Sequence, residues 1–304
     1  MMDATDHHPN ARWAKKDAGV WRRPPGLVVL IGGLMVALLA GGGRSVYAQP
    51  TAPQPSVITL APHLTEWVFS AGAGQHLIAT VAYSDYPTQA QTLPRIGHHQ
   101  GFQVEQILAF APDLVLAWPA GGQSDIIHKL RALGVKVWPM QIQQLQDIPK
   151  HIRALGQYFH TQALANARAS ELEHQLKQLH SFKEAPAVSY FYQLWHAPLM
   201  TINGNHFISQ GLALCGGRNI FENAATLTPQ VSREAVLQKN PSHIFMSASQ
   251  AQWHAKGQGW RAFTQLQAVK HDQLIAVDAD RLQRPTARLI EYLPQLCAHL
   301  SHKK

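Results

Sequence analysis

Regular alternation of strand-like and helix-like segments sets the strongest limit on how this chain folds. Short apolar runs typical of strands recur along the chain, at 57–60, 78–83, 114–118, 135–140, 188–194, 243–247 and 274–277. Helical patterns fall between most of them. Strands that alternate with helices at this spacing indicate parallel sheets built from α/β units. We therefore expect an α/β fold with two Rossmann-like lobes, because a long helical stretch interrupts the alternation midway.

That helical stretch reads as one continuous amphipathic helix between the lobes. Residues 148–179 contain no strand-like run, and their apolar side chains recur at helical spacing. A helix of about 32 residues is about 48 Å long, more than one small domain. A two-helix hairpin is the alternative, with Gly156 as a weak breaker. We divide the chain into an N-terminal lobe at 56–145, a bridging helix at 146–182 and a C-terminal lobe at 187–304.

The first 48 residues have the features of an export signal. Basic residues in 1–25 precede an uncharged apolar run at 27–40. A signal-peptide core has about 7–15 apolar residues, whereas a membrane-spanning helix needs about 20. Val46-Tyr47-Ala48 fits a cleavage site, and no cysteine near it would accept a lipid. We predict a cleavable signal peptide at 1–48 and a periplasmic protein without a lipid anchor; an uncleaved anchor is the alternative.

Charge and cysteine content exclude several classes of protein. The net charge of +8 falls to +5 once residues 1–48 are removed, and no basic cluster is interleaved with aromatics. We therefore expect no binding of nucleic acid. Two cysteines, Cys215 and Cys297, are too few for a four-cysteine zinc or iron–sulfur site. In an oxidising compartment such a pair favours a disulfide, and two buried thiols are the alternative.

Catalytic motifs are missing from the sequence. It contains no G-x-S-x-G, P-loop or H-E-x-x-H pattern, and its 18 histidines are mostly scattered. We therefore predict that the protein is not an enzyme and has neither a catalytic cofactor nor a metal site. A hydrolase or a metal-dependent enzyme is the alternative from a different class.

Aromatic residues mark a candidate binding site. Trp118 is the last residue of a predicted strand, and Tyr86 and Trp195 each follow one. Ligands of open parallel sheets bind at the carboxyl ends of the strands, and aromatic faces suit a large planar ligand. Aromatic residues that merely cap the sheets are the alternative.

Several longer motifs carry a family resemblance. They are VITLAPHLTEWVFSAGAG, YSDYP, QGFQVEQILAFAPDLVLAW, the C-G-G-R-N-I-F run from Cys215, PQVSREAVL and the cysteine in PQLC. Over about residues 56–302 the chain resembles the helical-backbone (class III) substrate-binding proteins of ABC importers, which serve cobalamin, siderophores and haem. It is most similar to the cobalamin-binding members. The resemblance implies two lobes joined by one long helix, a ligand cleft between them and a Cys215–Cys297 disulfide.

The resemblance also implies roles for individual residues. Tyr86 and Trp118 match aromatic residues at the corrin ring. Asp280 and Arg284 match a polar pair that hydrogen-bonds the ring substituents; an ordinary surface salt bridge between them is the alternative. Glu105 and Glu234 match two glutamates that dock on arginines of the membrane permease, and the alternative is that both are ordinary solvated helix residues.

Three positions depart from the family pattern. His99 and Thr228 replace family tryptophans, and a family phenylalanine falls near Leu199, with Trp195 as a candidate substitute. His99 would instead offer an imidazole to the ligand.

The resemblance implies a function in transport. We expect a monomer that captures cobalamin or a related corrinoid as a transported ligand. It would deliver this ligand to the permease of an ABC importer. Haem or a ferric siderophore is the alternative cargo on the same scaffold.

Overall fold

The computed structural model of the chain describes residues 54–98, 101–179, 187–249 and 259–301. The predicted signal peptide at 1–48 lies outside these residues, so its removal stays a prediction. Within the described ranges, no helix combines the length and the apolar character that crossing a bilayer requires.

A four-stranded parallel sheet forms the centre of the N-terminal lobe. The elements of this lobe are β1 (Val57–Thr59), α1 (Pro62–Ser70), β2 (Leu77–Ala79), β3 (Gly97–His98), β4 (Gly101–Phe102), α2 (Val104–Ala109), β5 (Leu114–Ala117), α3 (Ser124–Ala132) and β6 (Val137–Pro139). The sheet order is β2–β1–β5–β6, and β3 pairs with β4 separately. Strands β1 and β5 are buried along their whole length, as expected for a parallel sheet covered on both faces.

Two helices, α4 (Asp147–Tyr158) and α5 (Gln162–Gln178), occupy the segment predicted to form one long helix. The prediction of a single continuous helix is therefore wrong, and the hairpin alternative is right. His160 adopts the left-handed conformation with φ of 58°. The hydroxyl of Thr161 donates to the carbonyl oxygen of Ala71 at 2.6 Å. This tertiary contact stabilises a chain reversal. The turn itself contains no proline or glycine from which the reversal could be predicted.

Gly156 allows these two helices to touch rather than breaking a helix. A Cβ added at Gly156 would lie 2.1 Å from the Cβ of Ala165, well inside contact distance. We expect Gly156→Ala to lower the free energy of unfolding by about 1–3 kcal/mol, because overpacking outweighs the gain in helix propensity. Urea denaturation measures the change. Gly101→Ala is the control, since a Cβ there meets no atom of the described chain within 4 Å. Equal stability of the Gly156→Ala variant and the wild type would contradict the close packing.

A second four-stranded parallel sheet forms the centre of the C-terminal lobe. The elements of this lobe are β7 (Val188–Gln193), β8 (Trp195–His196), β9 (Leu199–Met200), α6 (Phe207–Leu214), β10 (Gly217–Asn219), α7 (Arg233–Lys239), β11 (His243–Ser247), α8 (Gln267–Lys270), β12 (Leu274–Val277), α9 (Ala279–Leu282) and α10 (Ala287–Leu300). The sheet order is β10–β7–β11–β12, and β8 pairs with β9. The predicted two-lobe α/β fold with parallel sheets is confirmed, and 56–145 and 187–304 remain our proposed limits for the lobes.

The two lobes repeat one topology. Numbered by their order along the chain, the four strands of each sheet lie side by side in the order 2-1-3-4. In each lobe a short helix, α2 or α7, leads through a proline into the third strand. The residues before these prolines, Ala111 and Asn240, both adopt the left-handed conformation, with φ of 43° and 42°. Equivalent positions in the two lobes can therefore be identified from the structure.

One hydrophobic core extends through both lobes. A single cluster of buried side chains includes Trp67 of α1, Leu155 of α4, Leu172 of α5, Tyr192 of β7 and Leu293 of α10. The helix pair thus does more than connect the lobes, because its apolar side chains belong to the packing of each. Separation of the lobes would expose this shared apolar surface to water, and the exposure would cost about 25 cal/mol of free energy for each Å².

A disulfide closes the C-terminal lobe. Cys215 at the end of α6 and Cys297 in α10 are bonded, with their Cα atoms 4.7 Å apart. The two helices pack closely, and a Cβ added at Gly211 of α6 would lie 2.6 Å from the side chain of Leu293. The predicted disulfide is confirmed.

Candidate functional site

The predicted aromatic residues lie at the carboxyl ends of the strands. Tyr86 is in the loop after β2, Trp118 directly follows β5, and Trp195 comes after β7. In sheets with this strand order, ligands bind outside the carboxyl ends where the order reverses, between the first and third strands. Trp118 follows the third strand of its sheet and Trp195 follows the first strand of the other, so each borders such a position.

Trp118 is half-buried, and its neighbours hold it in place. Its backbone N–H donates to Oε1 of Gln123 at 2.8 Å, and Nε2 of Gln123 donates to the carbonyl oxygen of Leu60 at 2.7 Å. The buried Gln123 therefore ties together the loops after β1 and β5. Gly121 lies against the indole, where a Cβ would come within 2.5 Å of the ring. The ring is thus oriented before any ligand arrives.

Tyr86 extends from a loop that buried hydroxyl groups anchor. The hydroxyl oxygens of Thr65 and Thr80 are 2.7 Å apart, and Thr80 donates to Oγ of Ser84 at 2.8 Å. Arg95 donates to the carbonyl oxygen of Ser84 at 2.9 Å. Two residues further on, the side chain of Tyr86 is 47% exposed, so much of its ring is accessible.

Trp195 borders a cavity of the C-terminal lobe. Its side chain is 53% exposed, and its indole N–H donates to the carbonyl oxygen of Ala197 at 2.9 Å. The cavity beside it has a volume of about 370 Å³. Its lining residues are Leu194, Trp195, His196, Ser247, Ser249, Ala279 and Gln283. Since Ala279 precedes Asp280 in α9, the cavity brings Trp195 near the predicted polar pair.

Five charged residues form an ion cluster between the lobes: Glu66, Asp85, Asp280, Arg284 and Arg288. Arg284 lies 2.7 Å from Asp85, 3.1 Å from Asp280 and 3.5 Å from Glu66. Arg288 donates two hydrogen bonds to Glu66, of 2.9 and 2.5 Å. Glu66 and Asp85 belong to the N-terminal lobe and the other three to the C-terminal lobe. The salt bridge between Asp280 and Arg284, the alternative interpretation of this polar pair, is therefore present as part of a larger network that joins the lobes, and the role of the pair toward a ligand stays a prediction.

The charges in this cluster stabilise one another. Partial burial acts to raise the pKa of Asp85, but the hydrogen bond and the charge of Arg284 outweigh it and hold that pKa below its usual range. Burial acts to lower the pKa of Arg288, and its ion pair with Glu66 raises it overall. Asp85 and Arg288 are therefore both charged at neutral pH.

A buried histidine, His63, packs against Trp118. The ring of His63 contacts Trp118 edge-on with centroids 4.8 Å apart, and Trp67 at 5.3 Å. Burial, assisted by the positive charge of Arg284, lowers the pKa of His63 to about 3, so it is neutral at physiological pH. Trp67 in turn donates to the carbonyl oxygen of Pro285 in the other lobe at 2.8 Å. Among the described residues, no group of three or more His, Cys, Asp and Glu is arranged to hold a metal ion.

Glu105 and Glu234 occupy equivalent positions in the two lobes. Each is the second residue of the short helix that precedes the third strand, α2 for Glu105 and α7 for Glu234. Both side chains are exposed. Hydrogen bonds from its own backbone N–H and from Ser232 hold the pKa of Glu234 below its usual range, so this carboxylate is ionised at neutral pH.

Comparison with known proteins identifies the family. A family model described as periplasmic binding protein matches residues 57–281. The chain belongs to the periplasmic binding protein family. It is 40% identical over 258 residues to a vitamin B12-binding protein of Vibrio cholerae, with 84% of this chain and 92% of the relative covered.

Solved structures share the fold of this periplasmic binding protein. The crystal structure of the periplasmic vitamin B12 binding protein BtuF of Vibrio cholerae matches with a TM-score of 0.76 and 40% identity, covering 82% of this chain and 97% of that one. The periplasmic heme binding protein HutB of Vibrio cholerae matches with a TM-score of 0.68 and 18% identity, covering 81% and 99%. The second likeness concerns the fold alone.

The structure brings together some of the predicted site residues. Tyr86 lies beside the ion cluster that contains Asp280 and Arg284, because the guanidinium of Arg288 lies over its ring. The ring of Trp118 contacts His63, and the charge of Arg284 in the ion cluster acts on His63 in turn. Their roles toward a ligand stay predictions, and so does that of His99, which lies outside the described residues.

Sequence reasoning missed three members of the ion cluster. Glu66 and Arg288 are 222 residues apart, and Asp85 and Arg284 are 199 residues apart. Glu66 lies within the VITLAPHLTEWVFSAGAG motif and Asp85 within YSDYP. Neither motif indicates that its acidic residue pairs with an arginine about 200 residues further along the chain.

Proposed function

We propose that this periplasmic binding protein captures vitamin B12 or a related corrinoid between its lobes and delivers it to an ABC importer. One observation carries the proposal. Aromatic rings stand at the carboxyl ends of the strands, Tyr86 and Trp118 from one lobe and Trp195 from the other, and the second lobe adds the polar pair Asp280 and Arg284. A corrin ring is large and flat and carries amide groups at its rim. Its flat faces match the aromatic residues, and its amide groups match the polar pair. The 40% identity to a vitamin B12-binding protein supports the same cargo.

Each candidate residue has a physical role in this proposal. The rings of Tyr86, Trp118 and Trp195 offer apolar faces to the corrin ring and its substituents. Asp280, whose side chain is largely exposed, accepts hydrogen bonds from amide N–H groups. Arg284 donates to amide carbonyl oxygens, in competition with its carboxylate partners. The corrinoid is a transported ligand, so the proposal includes no catalytic cofactor and no enzymatic reaction.

Delivery would use the two equivalent glutamates. Glu105 and Glu234 present one exposed carboxylate from each lobe, at positions that the repeated topology makes equivalent. A permease with arginines at two matching positions would contact both. Charged contacts of this kind fix orientation and accelerate association more than they add affinity. We further propose that the mature protein is a monomer in the periplasm, exported by a cleaved signal peptide and not lipid-anchored.

Isothermal titration tests the cargo. We expect residues 49–304 to bind cyanocobalamin tightly with one-to-one stoichiometry and to bind haem much more weakly. Tyr86→Ala or Trp118→Ala should weaken cyanocobalamin binding about 30-fold each, since a central aromatic contact contributes about 2 kcal/mol. Phe110→Ala is the control, because this aromatic side chain is also partly exposed but directly follows α2, a helix, instead of a strand. Tight binding of haem without binding of cyanocobalamin would overturn the proposal.

A further inference from the structure

Arg288 touches the exposed tyrosine of the cleft. The central carbon of its guanidinium lies 4.2 Å from the centroid of the Tyr86 ring. At this distance the cation is attracted to the π face, and the planar group covers one side of the ring. A ligand would then meet the other side of the ring or its edge.

A buried carboxylate holds Arg288 in that place. Nε and Nη2 of Arg288 donate to the two carboxylate oxygens of Glu66, at 2.9 and 2.5 Å. The side chain of Glu66 is only 3% exposed and that of Arg288 14%, so water competes little with the pair. Two parallel hydrogen bonds fix the plane of the guanidinium as well as its position. The plane of the guanidinium in turn limits the orientations open to the ring of Tyr86.

This contact also crosses between the lobes. Glu66 lies in α1 and Tyr86 in the loop after β2, whereas Arg288 extends from α10 of the C-terminal lobe. The loop that carries Tyr86 receives a second contact from the same direction, because Arg284 bonds to the adjacent Asp85 at 2.7 Å. The ring is therefore positioned from the opposite lobe, and its own loop is not its only support.

We propose that Arg288 is a positioning residue for ligand binding: held by Glu66, it presets the ring of Tyr86 so that its uncovered face meets the planar ligand. The inference rests on the proposed corrinoid-binding function. It makes Arg288 important for affinity through Tyr86, without requiring Arg288 itself to touch the ligand. Lysine does not replace it, because an ammonium group lacks both the planar face and the two-point fork.

A double-mutant cycle tests this role. Arg288→Lys keeps the positive charge beside the buried Glu66, so the variant should fold. We expect it to weaken cyanocobalamin binding about tenfold in the wild-type background and to have almost no effect in the Tyr86→Ala background. Arg168→Gln is the matched control. It removes an ion pair with Glu291, also on α10, and should leave the affinity unchanged.

A second measurement reports on the ring without any ligand. Fluorotyrosine placed at position 86 gives a single fluorine NMR signal, whose shift and linewidth follow the environment and motion of the ring. We expect Arg288→Lys to change this signal and Arg168→Gln to leave it as it is. Equal losses of affinity in both backgrounds of the cycle, or an unchanged signal, would overturn the inference. Failure of the wild type to bind cyanocobalamin would instead overturn the proposed function, and the fluorine signal would still decide whether Arg288 positions the ring.

Discussion

Replacing both Glu105 and Glu234 with arginine is expected to abolish uptake of cyanocobalamin while leaving its binding unchanged. Both carboxylates are exposed and start equivalent helices, so arginine at either place should not disturb the core. Opposed to arginines of a permease, the new charges would repel instead of attract. Such like-charge contacts cost several kcal/mol, which is more than about a hundredfold in affinity. Uptake of labelled cyanocobalamin by cells that lack the native copy of the protein measures the effect.

The control reverses two other exposed acidic residues. Asp125 lies in the first turn of α3, and Asp272 follows α8, so the Asp125→Arg and Asp272→Arg pair changes the net charge by the same amount. This control should transport normally. Loss of ligand binding in the Glu105 and Glu234 variant would mean that the two glutamates support the cleft or the fold, and normal uptake would mean that they do not dock.

Removal of the disulfide should produce the largest loss of stability. Cys215 and Cys297 close a loop with a sequence separation of 82 residues, and both are buried. The chain-entropy model gives a contribution of about 4–5 kcal/mol for a loop of this length. For a mature chain of about 250 residues, that corresponds to a fall in Tm of roughly 8–10 °C. Calorimetry on the Cys215→Ala, Cys297→Ala double variant measures the shift.

Wild-type protein treated with a reducing agent is the companion sample. It should show a Tm close to that of the double variant, because both lack the same cross-link. Binding of cyanocobalamin well below the lowered Tm should persist, since neither cysteine is among the residues proposed to contact the ligand. A variant that melts at the wild-type temperature would show that the tight packing of Gly211 against Leu293 is sufficient to hold these helices together.

Local patterns predicted the strands well because parallel strands are short apolar runs covered on both faces. The strand missed within the two sheets, β10, has the sequence Gly-Arg-Asn, which lacks such a run. It forms through hydrogen bonds to β7, a partner about thirty residues earlier in the chain. The turn between α4 and α5 escaped prediction for a related reason, since the contact from Thr161 to Ala71 stabilises it from another part of the fold.

The same limit applies to the candidate site. Positions directly after strands, such as Tyr86 and Trp118, can be predicted because topology alone brings strand ends to one edge of a sheet. Pairings such as Glu66 with Arg288 depend on how the lobes meet, and the sequence of either helix contains no sign of the other. The repeated topology is an intermediate case. The family resemblance pairs Glu105 with Glu234, but that they occupy the same place in two similar helix–proline–strand segments follows only from the order of the two sheets.

The hydrophobic core shared by the two lobes affects how a ligand would be recognised. Because side chains of α4 and α5 pack in one cluster with those of both lobes, we expect the lobes to take their relative positions during folding and not when a ligand binds. A receptor of this kind is preorganised, so little binding free energy is lost to immobilising its parts. Association can then approach the rate of diffusional encounter, without a slow closing step. Ligands would then be distinguished by how well they fit the fixed positions of the aromatic rings and of Asp280 and Arg284, since a preorganised site does not reshape itself around a poorer match.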